Sequence, residues 1–295
     1  LISFTKKDMR LDGRQESSNV EDRRGRRVKG ASMGIGGLIV VGLITWLMGG
    51  NPLDVLRQGG GAIATQQTAQ EEPYTPTAEE EEMATFTKVI LKGTEDAWTE
   101  IFAKYGKTYT PPRMVLYTDA VQSGCGGASS QVGPFYCSAD QTLYIDLSFF
   151  NQMKTQLGAG GDFAYAYVIA HEVGHHVQNL LGTLDKAHAR MAQVSKREAN
   201  AISVRLELQA DYYAGMWAHN DDARFGSLEP GDIEEGINAA HAIGDDKLQM
   251  KAQGYVVPDA FNHGTSKQRM AWLYKGYREG TLEGGDTFSL PDPSI

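Results

Sequence analysis

The chain has 295 residues, enough for one sizeable domain with appendages. Its net charge of −9 is unevenly spread: residues 1–30 hold nine Lys/Arg against five Asp/Glu, a balance of +4, which leaves −13 for the remainder. An acidic body of this kind argues against general nucleic-acid binding.

In chain order, residues 1–30 read as a basic cytoplasmic segment. Residues 31–50 follow without a single charge. A helix of that length spans roughly 30 Å, the thickness of a bilayer core. Arg23, Arg24, Arg26, Arg27 and Lys29 precede it, so the expected topology is one transmembrane helix with the N-terminus in the cytoplasm. The run is long for a signal peptide and no clear A-x-A cleavage site follows it. Everything after it is then expected outside the cytoplasm, as a single-pass protein of the inner membrane. Residues 51–82 carry Gly59-Gly60-Gly61, Pro73, Pro76 and Glu79 to Glu82, the composition of a flexible linker. Residues 83–295 are expected to form the folded domain.

That domain reads as α+β and mostly helical, with a small β-sheet. Residues 83–104 place Phe86, Val89, Ile90, Trp98, Ile101 and Phe102 on a helical face. Met114 to Tyr117 is a strand candidate. Thr142 to Leu147 is another, with Leu143 and Ile145 on one face and Tyr144 and Asp146 on the other. Between them Cys125 and Cys137, the only two cysteines, bracket a Gly/Ser-rich loop. The eleven-residue gap is not a zinc-knuckle spacing. An oxidising compartment therefore favours a disulfide over free thiols or metal ligands. Further helices are expected over residues 162–181, 190–218, 230–243 and 266–278.

The most informative stretch is His171-Glu172-Val173-Gly174-His175. On a helix, residues i and i+4 share a face, so both imidazoles can reach one metal ion. Glu172 lies beside that face, where its carboxylate can take a proton from water. This is the H-E-x-x-H pattern of zinc hydrolases. Gly174 costs the helix about 1 kcal/mol relative to Ala, which makes sense if something approaches closely there. His176 sits about 100° around the helix from His175 and cannot serve the same ion.

Catalytic zinc usually takes three protein ligands. A third histidine six residues after His175 is absent, because Leu181 stands there and Gln178 replaces the glycine of that extended motif. His188 and His219 read as surface histidines. Glu207 completes a His-His-Glu set from a second helix. Asp211, at i+4 from Glu207, can accept the free N–H of a ligand histidine and fix its tautomer.

These motifs also carry a resemblance. Residues 12–25, Ser123-Gly124-Cys125-Gly126, residues 133–137 and residues 144–150 contribute to it. So do the histidine motif, residues 207–215 and His263-Gly264-Thr265-Ser266-Lys267-Gln268-Arg269. Together they resemble the bacterial neutral zinc metallopeptidases, a family of membrane-anchored proteins, and more distantly the thermolysin-like clan. The family-like stretch starts near Met9, which suggests that residues 1–8 arise from start-codon assignment. The resemblance implies a zincin-like domain with one Zn²⁺ on His171, His175 and Glu207. It implies Glu172 as general base, Asp211 behind the ligands and a peptide or protein substrate. His263, opening a polar turn before a helix, is the candidate donor to the oxyanion; Tyr212 and Tyr213 rank below it. Arg269 either buttresses the site or forms a surface ion pair. By analogy, residues 142–147 would border the cleft and pair with extended substrate. The alternative function is a non-catalytic, membrane-tethered zinc scaffold on the same fold.

Overall fold

Capping boxes start the long helices. Thr77 and Glu80 exchange side chain-to-backbone bonds at the head of α1, Ala78–Lys104, and Ser195 and Glu198 do the same for the 30-residue helix Lys196–Phe225. Each box satisfies two otherwise orphaned N–H groups at a helix N-terminus. The computed structural model describes residues 9–25 and 74–291. The expected membrane span 31–50 and most of the linker 51–82 lie outside the described residues. Among those described, no helix is long and apolar enough to cross a membrane.

The architecture is α+β and mostly helical, as expected. The four-stranded sheet has the order β1 (Val20–Asp22), β2 (Arg113–Tyr117), β6 (Thr142–Asp146), β5 (Phe135–Cys137). β1, β2 and β6 run parallel and β5 runs antiparallel to β6. β3 (Ala120–Ser123) and β4 (Gly126–Ser129) form a separate hairpin. The alternation read for residues 142–147 is realised: Leu143 and Ile145 face the main core and Tyr144 a smaller cluster. In β2, Met114 and Leu116 face the main core and Val115 and Tyr117 the smaller one. The disulfide Cys125–Cys137 ties the hairpin to β5.

After β6 come the short α2 (Ser148–Gln152), α3 (Asp162–Leu180), α4 (Thr183–Met191), α5 (Lys196–Phe225), α6 (Asp232–Ala242), α7 (Asp245–Gln253) and α8 (Ser266–Glu279). The core sits between α1, α3, α5 and α8, where Trp98, Trp217 and Trp272 are fully buried. α5 and α8 cross with almost no space between backbones. A Cβ on Gly215 would stand 2.0 Å from the Leu273 carbonyl oxygen, and one on Gly276 2.0 Å from that of Tyr212.

α1 begins at Ala78, so Glu79 to Glu82, read as a solvated spacer that also begins the next helix, form its first turns, where carboxylates favour the positive end of the helix dipole. Two differences from the sequence reading matter. Residues 9–25 fold onto the domain: β1 extends the sheet and Met9 is buried in the core. Finally, residues 142–147 are not an open edge. β6 is bonded on one side to β2 and on the other to β5, so its backbone groups are already paired. The strand beside the site helix with an open edge among the described residues is β5.

Candidate metal centre

Two helices build the site. α3 presents His171 and His175, and α5 presents Glu207 and Asp211. Their approach is set by Gly174. A Cβ there would lie 2.9 Å from the Ala210 carbonyl oxygen and 3.0 Å from the Ala210 Cα. The helix-destabilising glycine thus lets α3 and α5 touch backbone to backbone, one turn from every ligand.

Three ligand atoms converge, all within 4.8 Å of one another, from His171, His175 and Glu207. His171 Nε2 lies 3.1 Å from Glu207 Oε2, and His175 Nε2 lies 3.4 Å from Glu207 Oε1. With bonds of about 2.0–2.1 Å, tetrahedral zinc places its ligand atoms about 3.3–3.4 Å apart. The two His–Glu207 distances, one to each carboxylate oxygen, are close to that spacing.

The far nitrogen of each ring is also held. His171 Nδ1 meets Asp211 Oδ1 at 2.9 Å, and His175 Nδ1 meets Gln178 Oε1 at 2.9 Å. Both rings thus present a lone pair on Nε2 when neutral. Asp211 is fully buried and also accepts from the Tyr167 hydroxyl at 2.6 Å and from Arg269 Nε and Nη2, each at 2.9 Å. Arg269 comes from α8 and is itself buried, which makes it the buttress and not a surface pair.

The electrostatics also favour a cation. Glu207 and Asp211 face one guanidinium, Arg269, and Glu172 is buried beside them, so three carboxylates stand against one cation when the imidazoles are neutral. Burial disfavours a charged His171, but the Asp211 carboxylate, followed by Glu207, overrides it and pushes the imidazole up to about 10. A divalent cation supplies the same balance. Burial alone lowers the affinity of Glu207 for its charge, yet the His175 and His171 rings hold its carboxyl well below the usual range. Glu172 is buried beside the ligands, and burial raises its carboxyl while His175 and His171 oppose that rise. The Tyr136 backbone N–H on β5 is hydrogen-bonded to it.

His263 stands at the edge of the site, within electrostatic range of Glu207. Its Nδ1 lies 3.1 Å from Asp245 Oδ1, and the second oxygen of Asp245 accepts the backbone N–H groups of Asn262, His263 and Gly264. Its side chain is 39% exposed, open enough to meet a ligand. The other candidates are occupied elsewhere. Tyr212 bonds Glu279 and Thr281, Tyr213 packs on Trp98, and His219 bonds the Tyr277 carbonyl. His176 is buried, its Nε2 on the Thr110 carbonyl and its Nδ1 on the Tyr136 hydroxyl. The cavity of about 490 Å³ lined by Leu181, Gln209, Tyr213 and Phe288 includes none of His171, Glu172, His175 and Glu207.

Sequence reasoning missed Tyr167, Gln178, Gln209, Tyr136 and Asp245. Helical spacing gives a signal for two of them: Tyr167 is four residues before His171, and Gln178 three after His175.

Fold and site together define an α+β protein with a His-His-Glu cluster, able to hold a metal ion, on two packed helices. The chain belongs to the family described as "Putative neutral zinc metallopeptidase", which it matches over residues 9–288. It is 48% identical over 291 residues to the "Uncharacterized protein YpfJ" of Escherichia coli (strain K12), covering 95% of this chain and 99% of that one. It is also 45% identical over 194 residues to the "Uncharacterized protein Rv2575" of Mycobacterium tuberculosis (strain H37Rv), covering 62% and 64%. No solved structure matches the chain. Membership implies zinc and a peptide or protein substrate.

Proposed function

We propose that the protein is a zinc-dependent peptidase with a zincin-like centre, in which His171, His175 and Glu207 hold one Zn²⁺. A zinc ion there would polarise the scissile carbonyl and make water acidic near neutral pH. Glu172 takes the proton of the attacking water and passes it to the leaving amine. Its burial, which raises its carboxyl, suits a group that must both accept and return a proton. His263, held by Asp245, donates to the developing oxyanion. Substrate adds as an extended strand along the outer edge of β5, where the Tyr136 N–H meets Glu172.

The single observation that carries this reading is the buried Glu172 carboxylate beside the His171, His175 and Glu207 cluster. A scaffold needs the three ligands and has no use for the base. The uncharged run of residues 31–50 supports attachment to a membrane, and the Cys125–Cys137 disulfide supports an oxidising compartment for the domain.

Digestion of a proteome-derived peptide library by the purified chain tests the activity. Cleavage that a chelator abolishes and zinc restores is expected. Glu172→Gln should keep stoichiometric zinc and lose cleavage; turnover by that variant would remove Glu172 from its role. Stoichiometric zinc with no peptide cleaved would favour the scaffold.

A further inference from the structure

We propose that Gln178 is a positioning residue for His175 and that a relay through Gln209 to the C-terminal turn holds it in place. The proposal rests on the metal-centre reading and extends it. Gln178 and Gln209 are both buried, so each polar atom must find a partner inside the protein. Gln178 Nε2 donates to the Leu206 carbonyl at 2.7 Å and to Gln209 Oε1 at 3.2 Å. Gln209 Nε2 donates in turn to the Gly285 carbonyl at 2.7 Å. These acceptors decide the orientation of both carboxamides. With its NH₂ committed to two acceptors, Gln178 has only Oε1 to offer His175. His175 must then carry its proton on Nδ1 and keep the Nε2 lone pair for the ion.

The two ligand histidines are thus held by different means. His171 has the charged Asp211, and His175 has a neutral amide whose direction is set through three further groups. Groups behind metal ligands typically govern affinity by 10–100-fold. The Gln178→Leu variant, similar in volume, removes the acceptor. Gln209→Leu removes only one clamp on it. Zinc affinity is measured by competition with a chromophoric chelator, well below the melting transition. Gln178→Leu should weaken zinc by about 10–100-fold, and Gln209→Leu by less. A merely structural glutamine would lower the melting temperature and leave zinc affinity unchanged, which overturns the proposal. His171→Ala separates the two levels. Zinc retained by Gln178→Leu alone sinks the relay; zinc retained by His171→Ala as well sinks the centre itself.

An independent observation carries a second inference: residues 9–25 and residues 74–291 lie on the same side of any bilayer to which the chain is attached. β1 is an integral strand, with Val20, Glu21 and Asp22 in register with Met114, Val115 and Leu116. The Arg14 guanidinium makes paired bonds of 2.8 and 2.6 Å to Asp221, with both side chains at most 9% exposed. Ser17 and Asn19 both donate to Glu95 on α1. A single crossing by residues 31–50 would put β1 and β2 on opposite sides of the membrane.

Single cysteines at the exposed positions Ser18 and Lys247, introduced separately into the full chain, test this. The native pair is already in a disulfide and does not compete. Spheroplasts are treated with a membrane-impermeant maleimide before or after lysis. Both positions labelled before lysis, or both only after it, is the expected pattern. One labelled before and the other only after lysis would overturn the inference.

Discussion

Gly174→Ala sets two known effects against each other at the contact between the ligand-bearing helices. Alanine in a helix interior is favoured over glycine by about 1 kcal/mol. At this position the added Cβ meets Ala210 O at 2.9 Å, where ordinary contact begins at 3.4 Å. The shortfall is 3.4 − 2.9, or about 0.5 Å, and the obstacle is backbone. α3 and α5 must separate by about that much, because no side chain can rotate away. Overpacking of a well-filled core costs typically about 1–3 kcal/mol. The clash therefore outweighs the propensity gain, and the metal-free protein should melt a few degrees lower. The larger effect is on the metal. Glu207 is one turn from Ala210 on α5, and metal–ligand distances tolerate only about 0.2 Å. Zinc affinity should fall by at least about tenfold. Thermal unfolding of the chelated protein and a chelator-competition titration measure the two effects. A variant that melts higher than wild type and binds zinc unchanged would refute the idea that this glycine exists for the helix contact.

Other perturbations follow from the same geometry. Arg269→Met leaves Asp211 buried without its guanidinium and should cost about 3–5 kcal/mol in urea unfolding, as for other broken buried pairs. Replacing Cys125 and Cys137 by serine opens a loop of sequence separation 12 and should cost about 2–3 kcal/mol by loop entropy, read as a lower denaturation midpoint. Glu235 lies near Asp162 and Asp232; burial and then those two carboxylates push its carboxyl up to about 7. The folded protein thus binds more protons than the unfolded chain between the ordinary carboxylate range and pH 7, so this group's contribution to stability falls as pH rises through that window. Glu235→Gln should flatten that slope, by about 1 kcal/mol after allowance for solvent screening; an unchanged slope would contradict the assignment.

The parts of the site legible in the sequence are those that helical spacing brings together. His171 with His175, and Glu207 with Asp211, are each separated by four residues, so one face of each helix is readable without tertiary knowledge. Tyr167 and Gln178 obey the same arithmetic but carry no metal-binding chemistry, so nothing singled them out. Arg269 and Asp245 reach the site from α8 and α7, and no local pattern encodes which helix packs where. β2 is readable as an apolar run, Met114 to Tyr117, because both of its faces are buried, each against a different cluster. β1 and β5 have three residues apiece, too few for a period to show. The partners of Arg23 and Arg24 become visible only once the segment is folded.

The choice between enzyme and scaffold comes down to what Glu172 costs. It is a buried carboxylate whose own proton affinity is raised by that burial, so its ionised form opposes folding of the metal-free protein at neutral pH. Its folded value lies above the unfolded one. The penalty is therefore absent below the ordinary carboxylate range and grows as pH rises. Glutamine has the same shape and carries no such penalty. The chelated Glu172→Gln protein should melt higher than chelated wild type at neutral pH, and the two should converge in acid. That outcome would show a residue that costs stability beside three candidate ligands, which is what the proposed proton transfer requires and a scaffold does not. If Glu172→Gln instead melts lower at every pH, Glu172 supports the fold and the case for the scaffold strengthens.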